Sequence, residues 1–306
     1  MLKPALPGDV RLATVVGAGL MGRRIAGIIA RGGADVVLHD TNAELLEGAV
    51  AVATQMASES PTPGTVSSST SLPESVANSD FITEAIIEDL GAKQQLIAAI
   101  SELTERAIIA TNTSVLPITS IAEFATAPDR VVGTHWWNPP DLIPIVEVVR
   151  GEHTSTEVID RTVALLEHLG KLAVRVERDV PGFVGNRLQH ALWREAIALV
   201  ADGVCDAETA DLVCRNTIGL RLAQMGPIET ADYVGLDLTR AIHEAVLPSL
   251  STDTFANPIL TTLIERGDLG AKSGRGFLAW PEGRREKAAA ELAAHVTAQL
   301  HARSQH

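Results

Sequence analysis

Three glycines, Gly17, Gly19 and Gly22, in the run Val15-Val16-Gly17-Ala18-Gly19-Leu20-Met21-Gly22-Arg23-Arg24-Ile25, constrain this chain more than any other feature. They fit the G-x-G-x-x-G spacing that joins a strand to a helix over a dinucleotide pyrophosphate. Each position has its own task. Gly17 makes the tight turn, Gly19 lets backbone approach the phosphates, and Gly22 lets the helix pack closely on the strand. Backbone N–H groups at the helix start then face the anion. The alternative is a purely structural glycine turn. Context argues against it: the apolar run 13–16 precedes the glycines, an apolar helical pattern follows, and a second apolar run, 35–39, ends at Asp40. An acidic residue there bonds a ribose 2′-hydroxyl and repels a 2′-phosphate, so the expected cofactor is NAD. Leu20 and Met21 belong to the same cofactor-facing turn.

A chain of 306 residues is long enough for two domains. Apolar runs at 13–16, 35–39, 81–83, 107–110, 130–133, 145–149 and 173–176 read as strands. Helical patterns fall between most of them. This alternation is the signature of an α/β, Rossmann-type doubly wound parallel sheet. Residues 58–71, SESPTPGTVSSSTS, read as a loop. The pattern changes at Asp179-Val180-Pro181-Gly182. Beyond it lie helical periods at 183–201, 206–216, 227–246 and 258–265, a Gly-rich turn at 271–280 and a helix at 284–302. The expected division is a dinucleotide-binding domain over residues 1–181 and an all-helical domain over 182–306.

The net charge of −13 argues against nucleic acid or an anionic membrane as partner. No apolar stretch approaches the roughly 18–20 residues of a membrane span. Residues 1–11 lack the apolar run of a signal peptide, so a cytoplasmic protein is expected. The two cysteines, Cys205 and Cys214, lack metal-ligand spacing and read as buried free thiols; no metal site is expected.

A second informative stretch is Val131-Val132-Gly133-Thr134-His135-Trp136-Trp137-Asn138-Pro139-Pro140. His135 lies just past a strand ending at Gly133, and open parallel sheets bind ligands at the carboxyl ends of their strands. Glu147 sits inside the apolar run 145–149, where a carboxylate is costly unless paired. A histidine is the simplest partner. Such a pair would orient the imidazole and stabilise its protonated form, which suits removal of an alcohol proton. From the residues alone a structural histidine and a solvent-facing glutamate remain equally open.

The chain resembles the 3-hydroxyacyl-CoA dehydrogenase family over nearly its full length. The resemblance rests on GAGLMG at 17–22, Glu84-Ala85-Ile86-Ile87-Glu88 with Lys93, Asn112-Thr113-Ser114, His135 with Asn138-Pro139, and Val146-Glu147-Val148. It continues through Pro181-Gly182-Phe183 with Asn186-Arg187, Gly226-Pro227 with Asp232, Gly235-Leu236-Asp237, and Lys272-Ser273-Gly274-Arg275-Gly276-Phe277. It implies that His135 is the general base with Glu147 as its partner, and that Ser114 and Asn186 bond the reacting substrate oxygens. It further implies that Asp40, Glu88, Lys93, Ser114, Asn138 and Lys272 line the NAD site, and that the helical domain carries a homodimer interface. Without the resemblance, Asn112 and Ser114 read as turn caps and Asn186 as a helix N-terminal amide.

Two departures bear on the substrate. Family members that take acyl-CoA usually carry a Lys-rich helical hairpin after the second strand. Here residues 32–92 contain neither Lys nor Arg, while Glu44, Glu47 and Glu59 stand in that stretch. CoA phosphates need positive partners. The family's Phe-Phe after the histidine is also Trp136-Trp137 here, and Trp137 is expected at the substrate. The expected reaction is therefore hydride transfer between NAD and a small CoA-free hydroxy acid or ring-bearing alcohol. The alternatives are a true 3-hydroxyacyl-CoA dehydrogenase and a non-catalytic NAD-binding protein on the same fold. An acidic substrate needs a cationic anchor; Arg187, Arg194 and Arg221 are candidates, with Arg221, just before Gly226-Pro227, favoured.

Overall fold

The computed structural model describes residues 6–303; residues 1–5, on which part of the signal-peptide reading falls, and His306 lie outside them. Contacts divide the chain into two compact units, Met1–Arg187 and Leu188–His306.

The first unit holds one eight-stranded sheet in the order β3-β2-β1-β4-β5-β6-β7-β8. Its strands are β1 (Leu12–Val16), β2 (Asp35–His39), β3 (Val66–Ser69), β4 (Phe81–Glu84), β5 (Ile108–Thr111), β6 (Val131–Trp136), β7 (Ile145–Val149) and β8 (Leu172–Val176). The central strands β4, β5 and β6 are buried along their whole length, as both-face burial in a parallel sheet demands. Helices α1 (Leu20–Arg31), α2 (Ala43–Ala57), α3 (Leu72–Val76), α4 (Leu90–Leu103), α5 (Ile118–Ile121) and α6 (Thr156–His168) cover the two faces. One apolar layer gathers Ile25, Ile28 and Ile29 of α1, Leu46 of α2 and Leu165 of α6. The other gathers Val76 of α3, Ile97 and Ile100 of α4 and Ile118 of α5. The strand order reverses between β1 and β4, which opens a crevice beside the carboxyl end of β1.

Two sequence expectations for this unit are corrected. The sheet is not wholly parallel: β7 runs antiparallel to β6. The connection, residues 137–144, is too short for the helical crossover that a parallel neighbour requires. The loop read at 58–71 contains β3, which pairs with β2. As an edge strand of sequence Val-Ser-Ser-Ser it exchanges backbone hydrogen bonds on one side and shows no apolar alternation.

The second unit is helical. It continues α7 (Gly185–Ala201), which begins in the first unit, and holds α8 (Ala207–Asn216), α9 (Ile218–Leu222), α10 (Pro227–Val234), α11 (Leu236–Val246), α12 (Pro258–Glu265) and α13 (Arg284–Arg303). The single helix expected over 227–246 is broken at Gly235, whose φ of 104° leaves the helical region. The short α9 has no counterpart in the sequence reading. Cys205 and Cys214 are free but half-exposed, not buried, because α8 and its surroundings have no closed core. Among the described residues no helix is long and apolar enough to cross a membrane, and no cluster of side chains could hold a metal ion.

Candidate active site

The glycine turn is built by close approach. Gly17 has φ +103°, and a Cβ on it would stand 2.7 Å from the carbonyl oxygen of Ala85. A Cβ on Gly22 would stand 1.7 Å from the carbonyl oxygen of Gly17. Gly19 faces open space, with nothing within 4 Å of its Cβ position. Helix α1 starts there with no side-chain cap and no acidic residue in its first turn. Its first N–H groups are thus left for an anion, so the residues fit a dinucleotide pyrophosphate. Leu20 and Met21 open the same helix, Leu20 exposed and Met21 half-buried. Asp40 follows β2 and closes on the turn: Oδ2 accepts from the Ala18 N–H at 2.9 Å and Oδ1 from the Asn42 N–H at 2.9 Å.

Next along the strand ends lies a buried charge cluster. Glu84 closes β4 with both oxygens engaged. Oε1 accepts from Lys93 Nζ at 2.6 Å and the Ile86 N–H at 2.7 Å, and Oε2 from the Thr111 hydroxyl at 2.6 Å. Burial pushes its carboxyl up, while the charge and hydrogen bond of Lys93 and the Thr111 bond pull it down. Lys93 is completely enclosed and lies 3.6 Å from Glu88 Oε2. The Lys93 ammonium is held inward by Glu84, at the strand ends beside the glycine turn. Glu88 accepts through Oε1 from the Thr113 hydroxyl and from the N–H groups of Ser114 and Val115. It fixes the turn that presents Ser114.

His135 and Glu147 face each other across the antiparallel register of β6 and β7. The imidazole Nδ1–H donates to Glu147 Oε2 at 2.7 Å, and both side chains are buried. Glu147 Oε1 accepts the N–H groups of Val184 and Gly185, each at 3.0 Å. Burial would raise the Glu147 carboxyl. The bonds from His135, Gly185 and Val184 more than offset it, and the group sits below the ordinary carboxylate value. Nδ1 is thus the protonated nitrogen, which leaves Nε2 as the basic one. The ring is flanked by Trp137, centroids 5.0 Å apart, and by Phe183, 5.8 Å away. Phe183 has φ 49°, a left-handed turn that brings the next two N–H groups onto Glu147.

Asn186 and Ser114 also meet: Asn186 Nδ2 donates to the Ser114 carbonyl at 2.8 Å. Asn112 ties the ends of β5 and β6, its Oδ1 accepting from the Trp136 N–H at 3.1 Å. Asn138 is exposed and Trp137 half-buried beside them. Arg187 donates to the Pro181 carbonyl at 3.4 Å. Lys272, Arg194 and Arg221 belong to the second unit. There Arg194 reaches the Asp253 carbonyl and Arg221 the Thr217 carbonyl, both at 3.4 Å. Sequence reasoning gave no role to Glu84, Phe183 or Gly185. Glu84 carried a related signal, a carboxylate at the end of an apolar run rather than inside one. Phe183 and Gly185 carried none, since their part is played by backbone direction and by space.

A dinucleotide cradle and a carboxylate-held histidine along one edge of the sheet define a nicotinamide-dependent dehydrogenase. The comparisons agree. The model of the 3-hydroxyacyl-CoA dehydrogenase NAD binding domain matches residues 12–180, and that of the C-terminal domain matches 182–280. The chain belongs to the 3-hydroxyacyl-CoA dehydrogenase family, and it is an NAD-dependent oxidoreductase acting on hydroxyl groups.

It is 33% identical over 299 residues to 5-formyl-3-hydroxy-2-methylpyridine 4-carboxylate 5-dehydrogenase of Mesorhizobium japonicum, covering 94% of this chain and 97% of that one. It is 35% identical over 288 residues to a probable 3-hydroxybutyryl-CoA dehydrogenase of Bacillus subtilis, covering 90% and 99%. Among solved structures, a 5-formyl-3-hydroxy-2-methylpyridine 4-carboxylic acid 5-dehydrogenase, described as an NAD+-dependent dismutase, superposes with TM-score 0.88 at 32% identity over 94% of this chain and 97% of that one.

Proposed function

We propose that the chain oxidises the hydroxyl carbon of a small, CoA-free hydroxy acid or ring-bearing alcohol, with His135 as general base and Glu147 as its partner. The observation that carries the chemistry is the His135–Glu147 pair. Glu147, ionised and held by two backbone N–H groups, fixes the imidazole with Nδ1 protonated. Nε2 takes the hydroxyl proton, and the carboxylate stabilises the imidazolium that forms. NAD, when bound, accepts the hydride from the same carbon. Ser114 and Asn186 orient the substrate oxygen. Gly17, Gly19, Leu20, Met21, Gly22, Asp40, Glu88, Lys93, Ser114 and Asn138 hold the cofactor.

The substrate class rests on the absence of any Lys or Arg in residues 32–92, which leaves no cation there for CoA phosphates. The pyridine-carboxylate activity of the Mesorhizobium relative agrees with a ring-bearing substrate. The protein works as a cytoplasmic homodimer. NADH formation measured across small hydroxy acids, ring-bearing alcohols and 3-hydroxybutyryl-CoA tests the reading. A higher kcat/KM for a small compound is expected. A thioester kcat/KM above about 10⁵ M⁻¹s⁻¹ with the small compounds inert would replace it by the acyl-CoA reading.

A further inference from the structure

Gly185 touches both sides of the candidate site. Its N–H donates to Glu147 Oε1 at 3.0 Å. On its other side lies the benzo edge of the Trp137 indole. A Cβ at residue 185 would stand 2.3 Å from Cζ2, 3.1 Å from Cη2 and 3.2 Å from Cε2 of that ring. Gly185 is not among the residues with positive φ, so its backbone would accept a side chain and only the indole forbids one. The indole in turn leans on His135, with ring planes 48° apart. Glu147, His135, Trp137 and Gly185 therefore form a closed circuit of contacts. Any side chain at residue 185 has to displace the ring that flanks the histidine.

We propose that Gly185 is a positioning residue that seats Trp137 as a flat wall beside His135, and that the substrate stacked on this wall is a planar, ring-bearing alcohol. The second clause rests on the CoA-free reading above. An indole with one edge on Gly185 and His135 beside it is held in one plane. A flat ring gains from offset stacking on such a surface, by about two- to tenfold in affinity. A flexible aliphatic chain has no planar face to match. The wall therefore separates planar from aliphatic alcohols, and Gly185 holds it in register with the base.

The test is a double-mutant cycle in the full-length protein: wild type, Gly185→Ala, Trp137→Phe and the two together. The probes are a hydroxymethyl-substituted pyridine carboxylate and 3-hydroxybutyrate. Gly185→Ala is expected to raise KM for the planar alcohol about tenfold, and for 3-hydroxybutyrate less than about threefold, with kcat changing less than KM. In the Trp137→Phe background the cost of the same Cβ shrinks to less than about threefold, because phenylalanine lacks the benzo atoms that the Cβ meets. Quenching of indole fluorescence by the planar alcohol is present in wild type and lost in Trp137→Phe.

Equal KM changes for both probes, or an equal penalty for Gly185→Ala in both backgrounds, would overturn the seat. If Gly185→Ala alone fails to fold while the double variant folds, the coupling is the same and supports it; if both fail, the glycine serves something other than Trp137 and the proposal falls. Wild type that turns over only 3-hydroxybutyryl-CoA would instead overturn the CoA-free reading and with it the planar substrate. The cycle read on that thioester would still decide the contact between Gly185 and Trp137.

Discussion

Lys93 Nζ lies 2.6 Å from Glu84 Oε1, and neither side chain has any exposed surface. A pair this enclosed is not a strong source of stability, because desolvation of both charges opposes their attraction. Removing one member is another matter, since the other is left buried and uncompensated. Lys93→Met is expected to destabilise the protein by about 3–5 kcal/mol, read as a lower urea midpoint. Weaker NAD binding is expected as well. A variant of normal stability would show that Glu84 does not depend on the Lys93 charge.

The dyad makes a kinetic prediction. His135→Ala should lose about 10²–10⁴-fold in kcat with little change in NAD affinity. Glu147→Gln should fall between that variant and wild type. The amide keeps the shape of the carboxylate but loses the charge that stabilises the imidazolium and accepts the Val184 and Gly185 N–H groups. Near-normal turnover in His135→Ala, measured by NADH absorbance, would remove His135 from the mechanism.

Asp40 predicts cofactor choice. NAD should be preferred to NADP by at least about 1.4 kcal/mol, or tenfold in kcat/KM, because a 2′-phosphate beside a carboxylate is repelled. The same carboxylate accepts the Ala18 N–H inside the glycine turn. Asp40→Ala is therefore expected both to narrow the preference and to raise KM for NAD, since the turn loses an anchor. Equal kcat/KM for the two cofactors in wild type would contradict the assignment.

Lys171 sets a pH dependence. It is buried, donates to the carbonyls of Pro140 and Ile143, and lies over the Trp136 ring. Burial, with the Arg31 charge adding to it, brings its ammonium down from 10.5 to about 8. Between about pH 8 and the ordinary lysine value the unfolded chain binds more protons than the folded one. Stability from this group therefore rises with pH across that window, by at most about 1.4 kcal/mol per pH unit. Urea midpoints of wild type and Lys171→Met, compared from pH 7.5 to 9.5, should differ in slope in that direction. Parallel slopes would show that Lys171 does not titrate there.

Much of this architecture was legible because its causes are local. The glycine turn, the buried strands and the carboxylate at Glu147 each announce themselves by spacing or by a charge in an apolar run. The pairing of His135 with Glu147 follows from a short connection that folds β7 back on β6 in register. What was not legible depends on partners distant in sequence. Strand β3 exists through backbone bonds to β2, which Val-Ser-Ser-Ser does not signal. That Lys93 is fully enclosed against Glu84 is not signalled by its neighbours in sequence. Gly185 looks like an ordinary helix-start glycine until the Trp137 ring is set against it.

The helical unit carries the assembly prediction. Helices α8 to α12 contain no buried residue among those described. On α11 the residues Leu238, Ile242 and Val246, spaced four apart, form an exposed apolar stripe. A stripe of this kind on a monomer is a cost, and a second copy meeting it about a two-fold axis removes it from water. Sedimentation at micromolar concentration is expected to give a dimer. Leu238→Asp combined with Ile242→Asp should shift it toward monomer, because two carboxylates cannot enter an apolar interface unpaired. A wild-type monomer at that concentration would rule out the homodimer. A dimer indifferent to both substitutions would move the interface off α11 to another of the uncovered helices.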